Sequence, residues 1–108
     1  MDTVLALFAG HAFLGGRAAA FKARTAAEAA LRANPHATVF LDFAFVEGVS
    51  HSFADELLSS LADFFQGEVS HRVFLTNCSV DVLADLKSVA EMHGLPMLLH
   101  RGIAPEFA

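Results

Sequence analysis

Four side chains that can bind a metal, attack a carbon or move a proton each follow an apolar stretch: His11, His51, Cys78 and His100. Imidazoles with one thiol could serve a thiol nucleophile and its base, or a soft metal site. Their spacing supports neither. No HxxxH, HExxH or CxxC pattern occurs in the chain. Gly10 and Gly15 stand at the interval of G-x-x-x-x-G-K-[ST], but Gly16 and Arg17 occupy the lysine and hydroxyl positions. The phosphate-binding amine and the Mg²⁺-binding hydroxyl are both missing, so these glycines read as turn formers. A denser group is Ser50-His51-Ser52, two hydroxyls and an imidazole at the start of an amphipathic stretch. Such a turn can be a catalytic elbow, a phosphorylation switch or a helix cap. Ser52-Phe53-Ala54-Asp55 has the S-x-x-D form of a capping box, which makes Ser52 the expected cap.

The elements that position these residues follow from period and punctuation. Residues 3–8 (TVLALF) read as a strand, and 15–34 as an alanine-rich helix stopped at Asn34-Pro35. In that helix Ala19, Ala23, Ala26 and Ala30 form a small-residue stripe, expected to face the sheet although it would also permit a homodimer. Arg24, Glu28 and Arg32 lie four apart, as on an exposed ion-paired face. Residues 38–45 (TVFLDFAF) form an apolar run broken by one Asp, the pattern of a strand in a covered parallel sheet. A second helix is expected over 52–66, with Phe53, Leu57, Leu58, Leu61, Phe64 and Phe65 on its apolar face. Gly67 should end it. A third strand over 71–77, a third helix over 79–93 stopped by Gly94, and a short strand over 95–100 complete the series. Residues 103–108 read as a tail.

Alternating strands and helices imply right-handed crossovers and an α/β fold. The expectation is one domain over 1–108, with a mostly parallel four-stranded sheet, open to one extra edge strand, covered by helices. In such a sheet His11, Ser50-His51-Ser52, Asn77-Cys78-Ser79 and His100 all fall at the carboxyl edge, where ligands and partners meet open sheets.

Bulk properties narrow the function classes. The 108 residues carry 12 acidic and 7 basic side chains, a net charge of −5, without any Lys/Arg cluster. That balance disfavours nucleic acid and anionic membrane surfaces. One cysteine leaves no internal disulfide and suits a reducing compartment. MDTVLALFAG has Asp where a secretory leader would carry Lys or Arg, and no apolar run is long enough to span a bilayer. The chain is therefore expected to be cytoplasmic. Apolar residues make up 55 % of it and the mean hydropathy is +0.49, above the ~45–50 % of ordinary soluble domains. Surplus apolar surface of that kind suits a protein partner or a second copy.

LDFxxVExVxxSFADEL over 41–57, with FLGGRAAA before it and VFLTNCSVDVLADL after it, resembles a bacterial family of STAS-like domains of unknown function. The resemblance spans nearly the whole chain, and SFADEL is its most specific part. Three departures stand out: Phe45 replaces the usual glycine, Gly15-Gly16 interrupt a Ser-Arg pair, and Cys78-Ser79 follow Asn77. The related anti-sigma factor antagonists are non-catalytic. A serine at the start of the helix after the LDF strand is phosphorylated by an ATPase kinase that is also the anti-sigma partner. The resemblance thus implies a regulatory protein–protein module without metal or cofactor, with an ATPase kinase of that type as candidate partner. Aligned on LDF, the antagonists' D-S-S-G becomes Ser50-His51-Ser52-Phe53, which puts His51 at the acceptor position. Ser52 and Ser50 are the candidate phosphorylation sites. The expected docking surface joins Glu47, Ser50, His51 and Ser52 to the acidic outer face Asp55, Glu56, Ser59 and Asp63. The alternative is a small-molecule- or metal-binding enzyme built on His11, His51, Cys78 and His100.

Overall fold

The computed structural model describes residues 2–64 and 73–95. In chain order its elements are β1 (Asp2–Leu5), β2 (Phe13–Leu14), α1 (Arg17–Ala33), β3 (Thr38–Asp42), β4 (Gly48–Val49), α2 (His51–Phe64), β5 (Val73–Thr76) and α3 (Val80–Met92). The chain is α/β, as its sequence period predicts.

The main sheet has the order β1-β3-β5, parallel throughout, with Leu5 beside Leu41 and Leu41 beside Leu75. Alternation along the strands turns Val39, Leu41, Val73 and Leu75 into the core, all of them buried. Phe40 and Phe74 point the other way and stack with ring centroids 5.8 Å apart. A strand order that advances in one direction through right-handed crossovers brings α1 and α2 to the same face. There they pack against each other.

The small-residue stripe of α1 is therefore rotated from its expected line. Ala20, Ala23, Ala27 and Leu31 are the buried set, while Ala19 and Ala30 pack at its margin. The helix lies against α2 as well as against β3. Methyl side chains let two helices and a sheet come close without voids. Its outer face carries the expected pair, Arg24 Nε to Glu28 Oε1 at 3.1 Å.

The single four-stranded sheet needs correction. Besides the three-stranded sheet the described residues hold a separate parallel ladder, β2 with β4, pairing Phe13 with Gly48 and Leu14 with Val49. These two-residue strands lie on segments that have already left the main sheet on their way to α1 and α2. They pair with one another because both approach a helix start. The Phe13 ring lies over Gly48, where an added Cβ would stand 3.3 Å from Cδ1. Of the expected last strand over 95–100 only Leu95 is described. The rest of it, Gly67, Phe65, Gln66, His71, Arg72 and the tail 103–108 lie outside the described residues.

Both strand ends come earlier than the apolar runs suggest. Phe8 leaves the strand to pack on Phe43 and Phe53, with centroids 4.9 and 5.9 Å away. At Asp42 the chain turns, because its carboxylate accepts the Ala44 N–H at 2.9 Å and so offers the backbone an alternative to the ladder. The end of α3 matches the sequence closely. Leu95 N–H donates to Ala90 O and Gly94 N–H to Glu91 O, a Schellman motif with Gly94 at φ 68. No described helix is long and apolar enough to cross a membrane.

Candidate functional site

The Ser50-His51-Ser52 turn is delivered by β4. Ser50 N–H donates to Leu14 O at 2.8 Å, and Ser50 O accepts the Ala54 N–H that opens α2. Its hydroxyl oxygen accepts twice, from Phe53 N at 3.1 Å and from Gly16 N at 3.0 Å. Gly16 is the residue before α1, held at φ 85 without a side-chain cap of its own. One serine oxygen therefore caps α2 and ties down the start of α1. This corrects the expected cap: it is Ser50, not Ser52, because the helix begins at His51 and places Phe53 as its third residue.

Ser52 stands beside the cap, its Oγ 3.2 Å from Ser50 Oγ. A serine oxygen accepts two hydrogen bonds and donates one. Since both acceptor positions of Ser50 are taken, its hydrogen is the one left to point at Ser52. His51 is exposed at the head of the helix. Between this turn and α3 runs a cleft of about 130 Å³, to which α3 contributes Asp85 and Ser88. Neither was singled out by the sequence, since only the packing of α3 against β4 brings them near.

The acidic face divides in two. Asp55 Oδ2 lies 2.6 Å from Arg17 Nη1, Glu56 Oε1 lies 3.6 Å from the same nitrogen, and Asp55 Oδ1 pairs with His93 Nε2. The Arg17 hydrogen bond holds the Asp55 carboxyl below the ordinary carboxylate range, while Asp55 raises Arg17 further. This cluster joins the start of α1, the first turns of α2 and the residue closing α3. Asp55, with its side chain 17 % exposed, is turned toward other parts of this chain. Ser59, Asp63 and Glu47 are exposed. Arg17 and His93 have no local signal beyond their residue type, because each meets Asp55 only through the tertiary fold.

The histidine and cysteine set is spread out. His11 lines an open apolar groove of about 450 Å³ with Phe8, Phe13 and Lys22. Cys78 is half-buried, and its thiol is pushed up to about 11, first by burial and then by the charge of Asp42. Among the described residues no three His, Cys, Asp or Glu side chains are grouped to hold a metal; His100 lies outside them.

The turn after β3 contains Phe45, expected as the end of the apolar strand run. Phe45 has φ 67 and is 94 % exposed. Asn77, also at positive φ, donates from Nδ2 to Asp42 Oδ1 at 3.0 Å and links this turn to the one after β5.

No family model, no curated protein and no solved structure matches the chain.

Proposed function

We propose that this chain is a non-catalytic regulatory module of bacterial signalling or transcriptional control. It binds a protein partner through the turn before α2 and is released by phosphorylation of Ser52. The observation that carries the reading is the hydroxyl pair: Ser50 Oγ occupied by two backbone N–H groups, with Ser52 Oγ 3.2 Å away. Modification of Ser50 would disturb the cap of α2 and the hold on α1. A phosphoryl group on Ser52 leaves both bonds in place and adds about −2 charge next to the positive end of a helix dipole. Such a change alters the outside of the turn while the fold persists, as a reversible switch requires. Glu47 and His51 are exposed beside it and complete the contact, with Ser59 and Asp63 further along α2. The resemblance carried by SFADEL favours an ATPase kinase as the partner, and the single cysteine favours a reducing cytoplasm as the setting.

The enzyme reading gains less support. A nucleophilic cysteine needs an accessible thiolate, and burial of Cys78 favours its neutral form.

The test is a pull-down from the native host, followed by incubation of the captured ATPase with ATP and this chain. Phosphate should appear on Ser52, and Ser52→Asp should melt like wild type yet lose the partner. An aspartate variant that binds as well as wild type would overturn the switch.

A further inference from the structure

We infer that Phe45 is the anchor of a contact surface at the carboxyl edge of the sheet, inserting into an apolar pocket of a different protein whose rim carries Lys or Arg. The inference rests on the reading of this chain as an interaction module, but not on any modification of Ser52.

Phe45 is disfavoured twice in the isolated chain. Its φ of 67 lies in the left-handed region, where a bulky L-residue crowds its own backbone. Its ring is 94 % exposed, so no packing within the chain offsets that strain. Glycine or asparagine would take the same backbone more easily. The conformation is nevertheless firmly imposed. Phe43 and Val46 on either side are buried, Val46 N–H donates to Phe43 O at 3.1 Å, and Asp42 Oδ1 receives both Ala44 N–H and Asn77 Nδ2. A strained residue held in place by its surroundings, with its side chain projected into solvent, points to a function outside the fold.

The turn after β5 carries a second exposed apolar side chain. Asp42 and Asn77 tie it to the Phe45 turn, and Val80, the first residue of α3, is 85 % exposed. In the two segments that carry these side chains the charge has one sign. Residues 42–52 and 76–86 contain Asp42, Glu47, Asp81 and Asp85, and no Lys or Arg. A second copy meeting this surface about a two-fold axis would set carboxylates against carboxylates. A basic rim around an apolar pocket complements it instead, and the net charge of −5 attracts such a partner from a distance. A large aromatic side chain entering a pocket, ringed by weaker contacts, is the usual form of an interface hot spot.

The experiment places photoreactive benzoyl-phenylalanine at position 45 of the full chain in native host cells. The cross-linked protein is then purified and titrated with wild type, Phe45→Gly and a Glu47→Lys/Asp81→Lys double variant. Phe45→Gly should weaken binding by about 30-fold or more, the equivalent of a ~2 kcal/mol hot spot, while melting at or above the wild-type temperature. The lysine variant should also bind more weakly, and wild-type affinity should fall with added salt. Cross-linking to a second copy of this chain, absence of any cross-linked protein, or equal binding by Phe45→Gly would overturn the inference. So would a Phe45→Gly variant that fails to fold, since Phe45 would then be structural. Equal binding by Phe45→Gly combined with loss of binding by Ser52→Asp would leave the switch standing and remove only the Phe45 contact.

Discussion

Replacing Ser50 by alanine removes one oxygen that accepts two backbone N–H groups, from Phe53 in α2 and from Gly16 before α1. Loss of the cap alone costs about 1 kcal/mol, within a range of ~0.5–2. The Gly16 N–H adds a second orphan donor; because Gly16 is half-exposed and water reaches it, this part is discounted from the ~1–3 kcal/mol of a buried group to about 0.5–1. The sum is about 1.5–2 kcal/mol, which for a domain of this size lowers the melting temperature by roughly 7–9 °C. Ser52→Ala loses a single neutral hydrogen bond and gains helix propensity, so it should change stability by less than about 0.5 kcal/mol. Ser50→Asp keeps an acceptor for both donors and suits the helix dipole, and should restore most of the loss. Thermal melts of the three variants give the ranking. Amide exchange should quicken at both Gly16 and Phe53 in Ser50→Ala, residues 34 and 3 positions away from Ser50. A Ser52→Ala variant as damaged as Ser50→Ala, or a Gly16 amide that exchanges unchanged, would refute the shared-cap argument.

Asp55→Asn should remove a pH-dependent contribution to stability. The folded carboxyl lies below its ordinary value because of Arg17, so the contribution is full above about pH 4 and fades as pH falls through the lowered folded value. The gap between wild type and variant should therefore narrow in acid; a gap that widens there contradicts the ion pair. Cys78, with its thiol raised to about 11, should react with iodoacetamide near pH 8 roughly two orders of magnitude more slowly than free cysteine. Rapid alkylation would revive the thiol-enzyme reading. Ala23, fully buried on the inner face of α1, should not accept a larger side chain. Ala23→Leu is expected to cost about 1–3 kcal/mol in urea titrations; a neutral result would mean that the inner face of α1 is not closely packed.

Much of the frame was legible in the sequence because it depends on near neighbours. The alternation of apolar runs with helical periods predicts the α/β class, and Asn34-Pro35 and Gly94 mark helix ends where the structure has them. Ser79, directly before the third helix, caps it through Val82 N. Helix limits, likewise, agree within a residue or two wherever both ends are described, since caps and breakers act over one turn.

What the sequence left open is what distant segments decide. Ser50 and Ser52 both satisfy the local chemistry of a cap, and the parallel sheet favours Ser50 by bringing Gly16 within 3.0 Å of its oxygen. On the acidic face of α2, which reads as a docking surface, Asp55 meets Arg17, 38 residues earlier, and His93 only through the fold. The β2–β4 ladder has no signature, because two-residue strands are too short for a period and exist only where two loops run side by side. Phe45 reads as part of a buried apolar run, yet the turn made by Asp42 and Asn77 puts it at φ 67 and into solvent. Residue type and period determine which segments become helix or strand. Which side chains share a site is determined by the order and register of the sheet, because contacts across many tens of residues leave no trace in local spacing.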